Sequence, residues 1–189
     1  MKTKNSISTR RLVLTALMAA LTVVGSSLRI KVPVDLTGTS AFHLGNIMCA
    51  LSGLLLGPWL GGLAAGLGSA IYDMTDPSYI SEAWLTFLMK GAYGLVAGLV
   101  ASIGKKDLSY VKAILASSAG AVLYALLYLA KCYLKTVFVQ GAAPGAAFAA
   151  VLATKLAPTV FNAAVAIIFA PILALAIRKA LKQNHISLE

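Results

Sequence analysis

The stretch KLAPTVFNAAVAIIFAPILAL, residues Lys155 to Leu175, decides the fold class of this chain. As a helix rising about 1.5 Å per residue, it is long enough to cross the apolar core of a bilayer, which is about 30 Å thick. It nevertheless begins with a lysine and has an asparagine, Asn162, seven residues later. Because lipid offers neither side chain a partner, we expect both to face the interior of the protein.

The composition of the whole chain supports a membrane protein. Of its 189 residues, 59% are hydrophobic and 12% are charged, about half the charged share of a typical soluble domain. The net charge is +10, and basic residues concentrate in short segments such as Arg10–Arg11, Lys105–Lys106 and Arg178–Lys179. Cytoplasmic loops of membrane proteins have this bias. We therefore predict a polytopic protein of the lipid bilayer, and no nucleic acid as a partner.

The pattern of apolar blocks predicts a single membrane domain over residues 1–189, an all-α bundle of six transmembrane helices with both termini in the cytoplasm. The predicted spans are 11–28, 43–57, 60–73, 84–103, 111–137 and 146–177. The second and third spans provide only about 21 Å of helix each, so a re-entrant hairpin remains an alternative for them. Their many glycines favour very close packing. Cys49 and Cys132 lie in apolar context and are interpreted as small buried hydrophobic residues.

Three of the predicted helices carry polar residues at helical spacing on one face. These residues are Thr86, Lys90 and Tyr93 in the fourth span, Tyr124, Tyr128, Lys131 and Lys135 in the fifth, and Lys155, Thr159 and Asn162 in the sixth. Each set lies toward the outer end of its helix, which predicts a cavity that opens outward. For Lys135, extension to the lipid headgroups is the favoured interpretation. For Asn162, a hydrogen bond between helices and a contact with a ligand are equally open.

The acidic residues and the missing motifs limit the function. The six acids, Asp35, Asp73, Asp76, Glu82, Asp107 and Glu189, all lie outside the middle of the spans, whereas proton- and cation-driven carriers commonly use a buried carboxylate. The sequence contains no Walker A motif, no HExxH and no GxSxG. We therefore predict a protein that is not an enzyme, has no metal or cofactor of its own, and obtains energy for any uphill transport from a partner.

Four segments, in their order along the chain, resemble one known family. They are TALMAAL at 15–21, FHLGNIMCALSGLLLGPWLGGLAAGLGSAIYDM at 42–74, TFLMKGAYGLVAGL at 86–99 and KLAPTVFNAAVAI at 155–167. The arrangement resembles the substrate-binding S component of energy-coupling factor (ECF) vitamin transporters over about residues 9–178. The most similar group includes the binders of riboflavin, pyridoxine or hydroxymethylpyrimidine, pantothenate and cobalamin.

The resemblance implies a six-helix protein of a prokaryotic cell membrane that binds a vitamin from outside. It implies association with a transmembrane coupling subunit and two cytoplasmic ATPases, after which the binding protein topples to deliver its ligand inward. Ala16 and Ala20 would dock on the coupling subunit, and the loop from Pro33 to Phe42 would cap the ligand. The candidate ligand contacts are His43, Asn46, Asp73, Trp84, Thr86, Lys90, Tyr93, Tyr124, Tyr128, Lys131, Lys155 and Asn162.

The identity of the vitamin is left open by the sequence. The candidate lysines can pair internally with Asp73 and Glu82, since an unpaired buried charge is costly. Alternatively, a lysine can bind a carboxylate or phosphate of the ligand, which favours an acidic vitamin such as pantothenate. Pyridoxine-like ligands stacked on tyrosines are the next choice. The main alternative function is a stand-alone carrier or channel for small solutes, which needs no ATPase partner.

Overall fold

The computed structural model describes residues 8–34, 38–105 and 107–184, and within these ranges the chain forms six α-helices and one β-hairpin. The helices are α1 (Thr9–Ser27), α2 (Gly45–Leu56), α3 (Pro58–Thr75), α4 (Ala83–Ser102), α5 (Tyr110–Phe138) and α6 (Pro144–Gln183). Short 3₁₀ turns, Ile80–Glu82 and Ile103–Lys105, precede and follow α4. Four segments are long and apolar enough to cross a membrane: α1, α4 with its preceding turn, α5 and α6. The predicted crossing of α2 and α3, and the side on which the termini lie, stay predictions.

A β-hairpin between α1 and α2 is the feature that the all-α prediction missed. Strand β1 (Arg29–Val34) pairs antiparallel with β2 (Gly38–His43), from Arg29 opposite His43 to Val34 opposite Gly38. Helix α2 begins at Gly45, two residues after the predicted start of the second span, because His43 ends a strand. The segment RIKVPV has the alternation of apolar and other residues that indicates a strand. Asp35, in the predicted capping loop, lies outside the described residues, as do Lys106, His185 and Glu189.

Helices α2 and α3 pack at backbone contact, as their glycines predicted, since a Cβ atom on Gly61 would lie 2.6 Å from the Cα of Gly53. Helix α4 packs equally closely against both. A Cβ atom on Gly53 of α2 would lie 2.4 Å from the carbonyl oxygen of Gly94 in α4. A Cβ atom on Gly94 would lie 2.7 Å from the carbonyl oxygen of Gly61 in α3. Gly57, with a φ of 77°, makes the tight turn between α2 and α3. These three helices therefore form one closely packed unit that gives the cavity a fixed wall.

Two arginines bind the carbonyl groups at the end of α2, at the end of the bundle away from the hairpin. The last carbonyl groups of a helix lack N–H partners within it, and α2 ends at Leu56. Arg178 of α6 donates to the carbonyl oxygen of Leu54 at 2.6 Å, and Arg11 of α1 donates to that of Leu56 at 3.4 Å. Arg178 lies about 30 Å along α6 from Pro158, so this basic end is opposite to the polar residues described next.

Candidate ligand-binding site

A cavity of about 210 Å³ lies between the hairpin and helices α3 to α6. Nine of the twelve predicted ligand contacts line it: His43, Asp73, Thr86, Lys90, Tyr124, Tyr128, Lys131, Lys155 and Asn162. The polar faces of α4, α5 and α6 therefore meet at one place, next to the β-hairpin. Their role as ligand contacts stays a prediction.

The other three predicted contacts lie elsewhere. Tyr93 is fully buried behind Tyr124, with ring centroids 5.9 Å apart. Asn46 is also buried and accepts a hydrogen bond from Lys90, so both residues support the wall from behind. Trp84 is 65% exposed and borders an apolar groove on the outside of α3 and α4. Trp84 therefore lies on a different face of α4 from the cavity, because a residue two positions before Thr86 lies about 200° around the helix from it.

Lys90 brings a positive charge into the wall formed by α4. Its side chain is 4% exposed. The ammonium group donates to Oδ1 of Asn46 and lies 4.0 Å from the centroid of the Tyr124 ring. Tyr124 also stacks on Tyr128, with centroids 5.9 Å apart and ring planes 23° apart. A cation over the face of an aromatic ring is attracted by the ring quadrupole. The neutral side chains of Asn46 and Tyr124 therefore stabilise the Lys90 ammonium group, and the stacked rings of Tyr124 and Tyr128 lie beside it.

A cluster of three charged residues, Glu82, Lys131 and Lys135, lies where α4 begins beside α5. Lys131 contacts one carboxylate oxygen of Glu82 at 2.6 Å, and Lys135 contacts the other. Lys135 was expected to extend to the headgroups, but it pairs with Glu82 and lines the cavity, with its side chain 48% exposed. We call these three residues the Glu82 cluster.

Helix α6 holds strand β2 through Asn162. The Asn162 side chain accepts from the backbone N–H of His43 and donates to the carbonyl oxygen of Ala41, both at 2.9 Å. Its amide thus bonds the strand as the backbone of a neighbouring strand would. Asn162 also lines the cavity, but its two polar atoms are engaged by the hairpin.

Pro158, four residues before Asn162, adds a further attachment of the hairpin. A proline within a helix leaves the carbonyl group four residues earlier without its N–H donor. Here that group is the carbonyl of Thr154, and the hydroxyl of Ser40 in β2 donates to it at 3.1 Å. The rings of Phe42 and Phe161 pack edge to face beside it, with centroids 5.2 Å apart. The polar residues and the first proline of the Lys155–Leu175 stretch thus lie at the hairpin and the cavity.

Strand β1 is held on its other side by α3 and the loop that follows it. The guanidinium of Arg29 lies 3.8 Å from the centroid of the Tyr72 ring, and its Nε donates to the carbonyl oxygen of Ser26 at 2.7 Å. Lys31 forms an ion pair with Asp76 at 2.5 Å. Burial raises the pKa of the Asp76 carboxyl, but Lys31 and the backbone N–H of Ser78 outweigh it, and the pKa is lower than usual.

Several residues of the cavity wall were not among the predicted contacts. They include Ser26, Arg29, Ser69, Tyr79, Cys132 and Thr136. Arg29 is a strand residue, and only the alternation of RIKVPV could have indicated on which face of the strand its side chain lies. Both cysteines are buried as predicted, although Cys132 borders the cavity. Within the described ranges, no group of three or more His, Cys, Asp or Glu side chains is placed to hold a metal ion.

Comparison with known proteins connects this architecture to a family. Residues 6–179 match the family model of the ECF-type riboflavin transporter S component. The chain belongs to this family. It is also 32% identical over 114 residues to a Pyrococcus woesei protein described as "Uncharacterized protein in gap 3'region", covering 60% of this chain and 72% of that protein. The resemblance found in the sequence is confirmed: the chain is an ECF S component, a membrane protein of vitamin uptake.

The predicted docking residues of this S component lie on an open face of α1. Ala16 and Ala20 are both exposed. Leu12, Val13 and Leu17 on the same helix are between 53% and 61% exposed. Small residues let another helix approach closely in a membrane, so this face is available to a partner, and its use for docking stays a prediction.

Proposed function

We propose that this S component binds a water-soluble vitamin or vitamin precursor in the cavity beside the hairpin. It delivers the ligand inward together with an ECF coupling subunit and two cytoplasmic ATPases, and is itself not catalytic. The observation that supports this proposal is the cavity: charged, hydroxyl and aromatic side chains surround one space in a bundle whose outer surface is apolar. Polar groups at membrane depth are costly and mark sites of function.

The hairpin, residues 29–34 and 38–43, acts in this proposal as the lid of the cavity. It contributes Arg29, Ala41 and His43 to the wall. Its two edges are attached to different helices, β1 to α3 and its following loop, and β2 to α6. A ligand therefore enters when one of these edges detaches. The lid lies at the outer end of the bundle if the basic end with Arg11 and Arg178 is cytoplasmic, as the positive-inside rule predicts.

The dimensions of the cavity favour a compact ligand. Its volume of about 210 Å³ lies below the roughly 300–1,000 Å³ of sites for drug-sized molecules. This volume favours a vitamin with a single ring or a short chain over the much larger cobalamin. The stacked rings of Tyr124 and Tyr128 provide a flat surface for an aromatic vitamin.

Binding and transport are tested separately. Native mass spectrometry of the purified chain is expected to show a co-purified small molecule, and titration with riboflavin, pyridoxine, hydroxymethylpyrimidine and pantothenate is expected to identify a tight ligand. In proteoliposomes, uptake is expected only when a coupling subunit, the ATPases and ATP are present. Uptake by the chain alone would instead support the stand-alone carrier or channel, and absence of any bound vitamin would remove the binding role.

A further inference from the structure

We propose that the ligand carries an acidic group, a carboxylate or a phosphate, and that this group binds between the Glu82 cluster on α4 and α5 and Lys155 on α6. The inference rests on the proposed function, because it assigns a ligand class to the same cavity. It concerns the charge of the ligand, which family membership does not determine.

The first argument is the balance of charge around the cavity. Among the described residues that line it, five carry a positive charge and two carry a negative one; they are Arg29, Lys90, Lys131, Lys135 and Lys155 against Asp73 and Glu82. With Lys155 left out, four positive charges still face two negative ones. Excess charge in a poorly solvated site is unfavourable unless something compensates it. A bound acid would reduce this excess.

The second argument is where the excess lies. Arg29 and Lys90 lie over the rings of Tyr72 and Tyr124, at 3.8 and 4.0 Å from the centroids. Aromatic faces and an amide oxygen therefore already contact these two cations. In the Glu82 cluster, two ammonium groups share one carboxylate, and Lys131 also lies 5.2 Å from the centroid of the Tyr128 ring. That side of the cavity retains one positive charge before any residue of α6 is considered.

Lys155 completes this part of the wall. Its side chain is 2% exposed, and it interacts electrostatically with all three members of the Glu82 cluster. The hydroxyl of Thr159 donates to the Lys155 carbonyl at 2.7 Å, and Thr159 lines the cavity one turn further along α6. An acidic group placed here meets ammonium donors from α5 and α6, and charge-assisted hydrogen bonds of this kind are the strong ones. The rest of the ligand then lies toward Tyr124 and Tyr128.

The experiment compares acids with their neutral partners on the purified full-length chain by isothermal titration calorimetry. Pantothenate against pantothenol tests a carboxylate, and pyridoxal phosphate against pyridoxal tests a phosphate. In at least one pair, we expect the acid to bind ten times more tightly or better. The Lys155→Met variant should lose most of this ratio while the neutral partner binds as before, and Lys155→Arg should keep it. Lys179→Met, at the other end of α6, is the control.

Each outcome bears on a different statement. Equal binding of acid and neutral partner in both pairs, or tight binding of neutral riboflavin alone, would overturn the acidic ligand and leave the vitamin-binding role intact. A preference for the acid that persists in Lys155→Met would overturn the placement of the acid beside Lys155. Failure of these compounds and of the other vitamins to bind at all would overturn the proposed function itself.

Discussion

Replacement of Asn162 by alanine tests whether this residue acts through the hairpin. The substitution removes two hydrogen bonds of 2.9 Å, one to His43 and one to Ala41. Each is worth about 0.5–1.5 kcal/mol net, so docking of β2 on α6 should weaken by about 2 kcal/mol. If the bound ligand is retained only while the hairpin is docked, the apparent Kd rises as the docked fraction falls. A loss of about 2 kcal/mol limits the increase in Kd to roughly 30-fold, because 1.4 kcal/mol corresponds to a factor of ten.

The assay measures two quantities on the same purified protein. Titration of the ligand identified by mass spectrometry gives the Kd, and hydrogen exchange of the ligand-free protein reports whether the His43 amide has lost its acceptor. In Asn162→Ala we expect a Kd raised between about 10-fold and 30-fold and faster exchange of that amide. Val160 lies on the same helix and is 57% exposed, so Val160→Ala should change neither the Kd nor the exchange rate of the His43 amide. A raised Kd with unchanged exchange would show that Asn162 contacts the ligand directly, and the reasoning about the hairpin would be wrong.

Three other changes test the remaining parts of the structure. Asp76→Asn should speed ligand association several-fold, measured by stopped flow. In the unmodified protein, the pKa of Asp76 is lowered by folding. Its ion pair with Lys31 should therefore have the same effect at pH 7 and pH 5, and be lost only as the pH falls through that lowered pKa. Gly53→Ala should lower the Tm of the detergent-solubilised protein by an amount equivalent to about 1–3 kcal/mol, since its Cβ would meet backbone atoms. Gly145→Ala, with open space around it, should not lower the Tm, because alanine is the better helix former. Ala16→Trp should abolish ATP-driven uptake while ligand binding by the purified chain stays intact; loss of binding would contradict a role confined to docking.

The sequence predicted those parts of the fold and the site that follow from helical periodicity. Polar residues such as Lys90, Tyr124 and Lys155 recur at helical spacing in otherwise apolar segments. Because an apolar environment excludes unpartnered charge, such residues must face inward, and the structure places all three on one cavity. The glycines of α2 and α3 predicted close packing, since they have no side chain to keep the helices apart.

Features that depend on contacts far apart in the sequence could not be predicted in this way. Nothing near Asn162 in the sequence indicates that its partners are Ala41 and His43, about 120 residues earlier. Short strands also give a weak signal, and a proline in RIKVPV makes it weaker. Trp84 was predicted as a ligand contact but lies away from the cavity. The sequence could not indicate this, because an aromatic residue near a helix end suits a lipid interface as well as a binding site.

The two edges of the hairpin are attached with different strength, which indicates how the lid opens. On the α3 side, the Lys31–Asp76 ion pair is partly exposed, and such pairs contribute at most about 1 kcal/mol. The Arg29–Tyr72 contact adds about 0.5–1 kcal/mol. The contacts of Arg29 and Lys31 with the Tyr79 ring, at 5.2 and 5.7 Å from its centroid, are longer and add less. On the α6 side, Asn162 contributes about 2 kcal/mol through its two bonds, and the Ser40 hydroxyl adds about 1 kcal/mol. The edge-to-face pair of Phe42 and Phe161 adds about 0.5–1.5 kcal/mol. We infer that the α3 edge detaches first, while β2 stays on α6 as the hinge. Asp76→Asn should then change mainly the association rate and Asn162→Ala mainly the affinity, and the reverse pattern would place the hinge at α3.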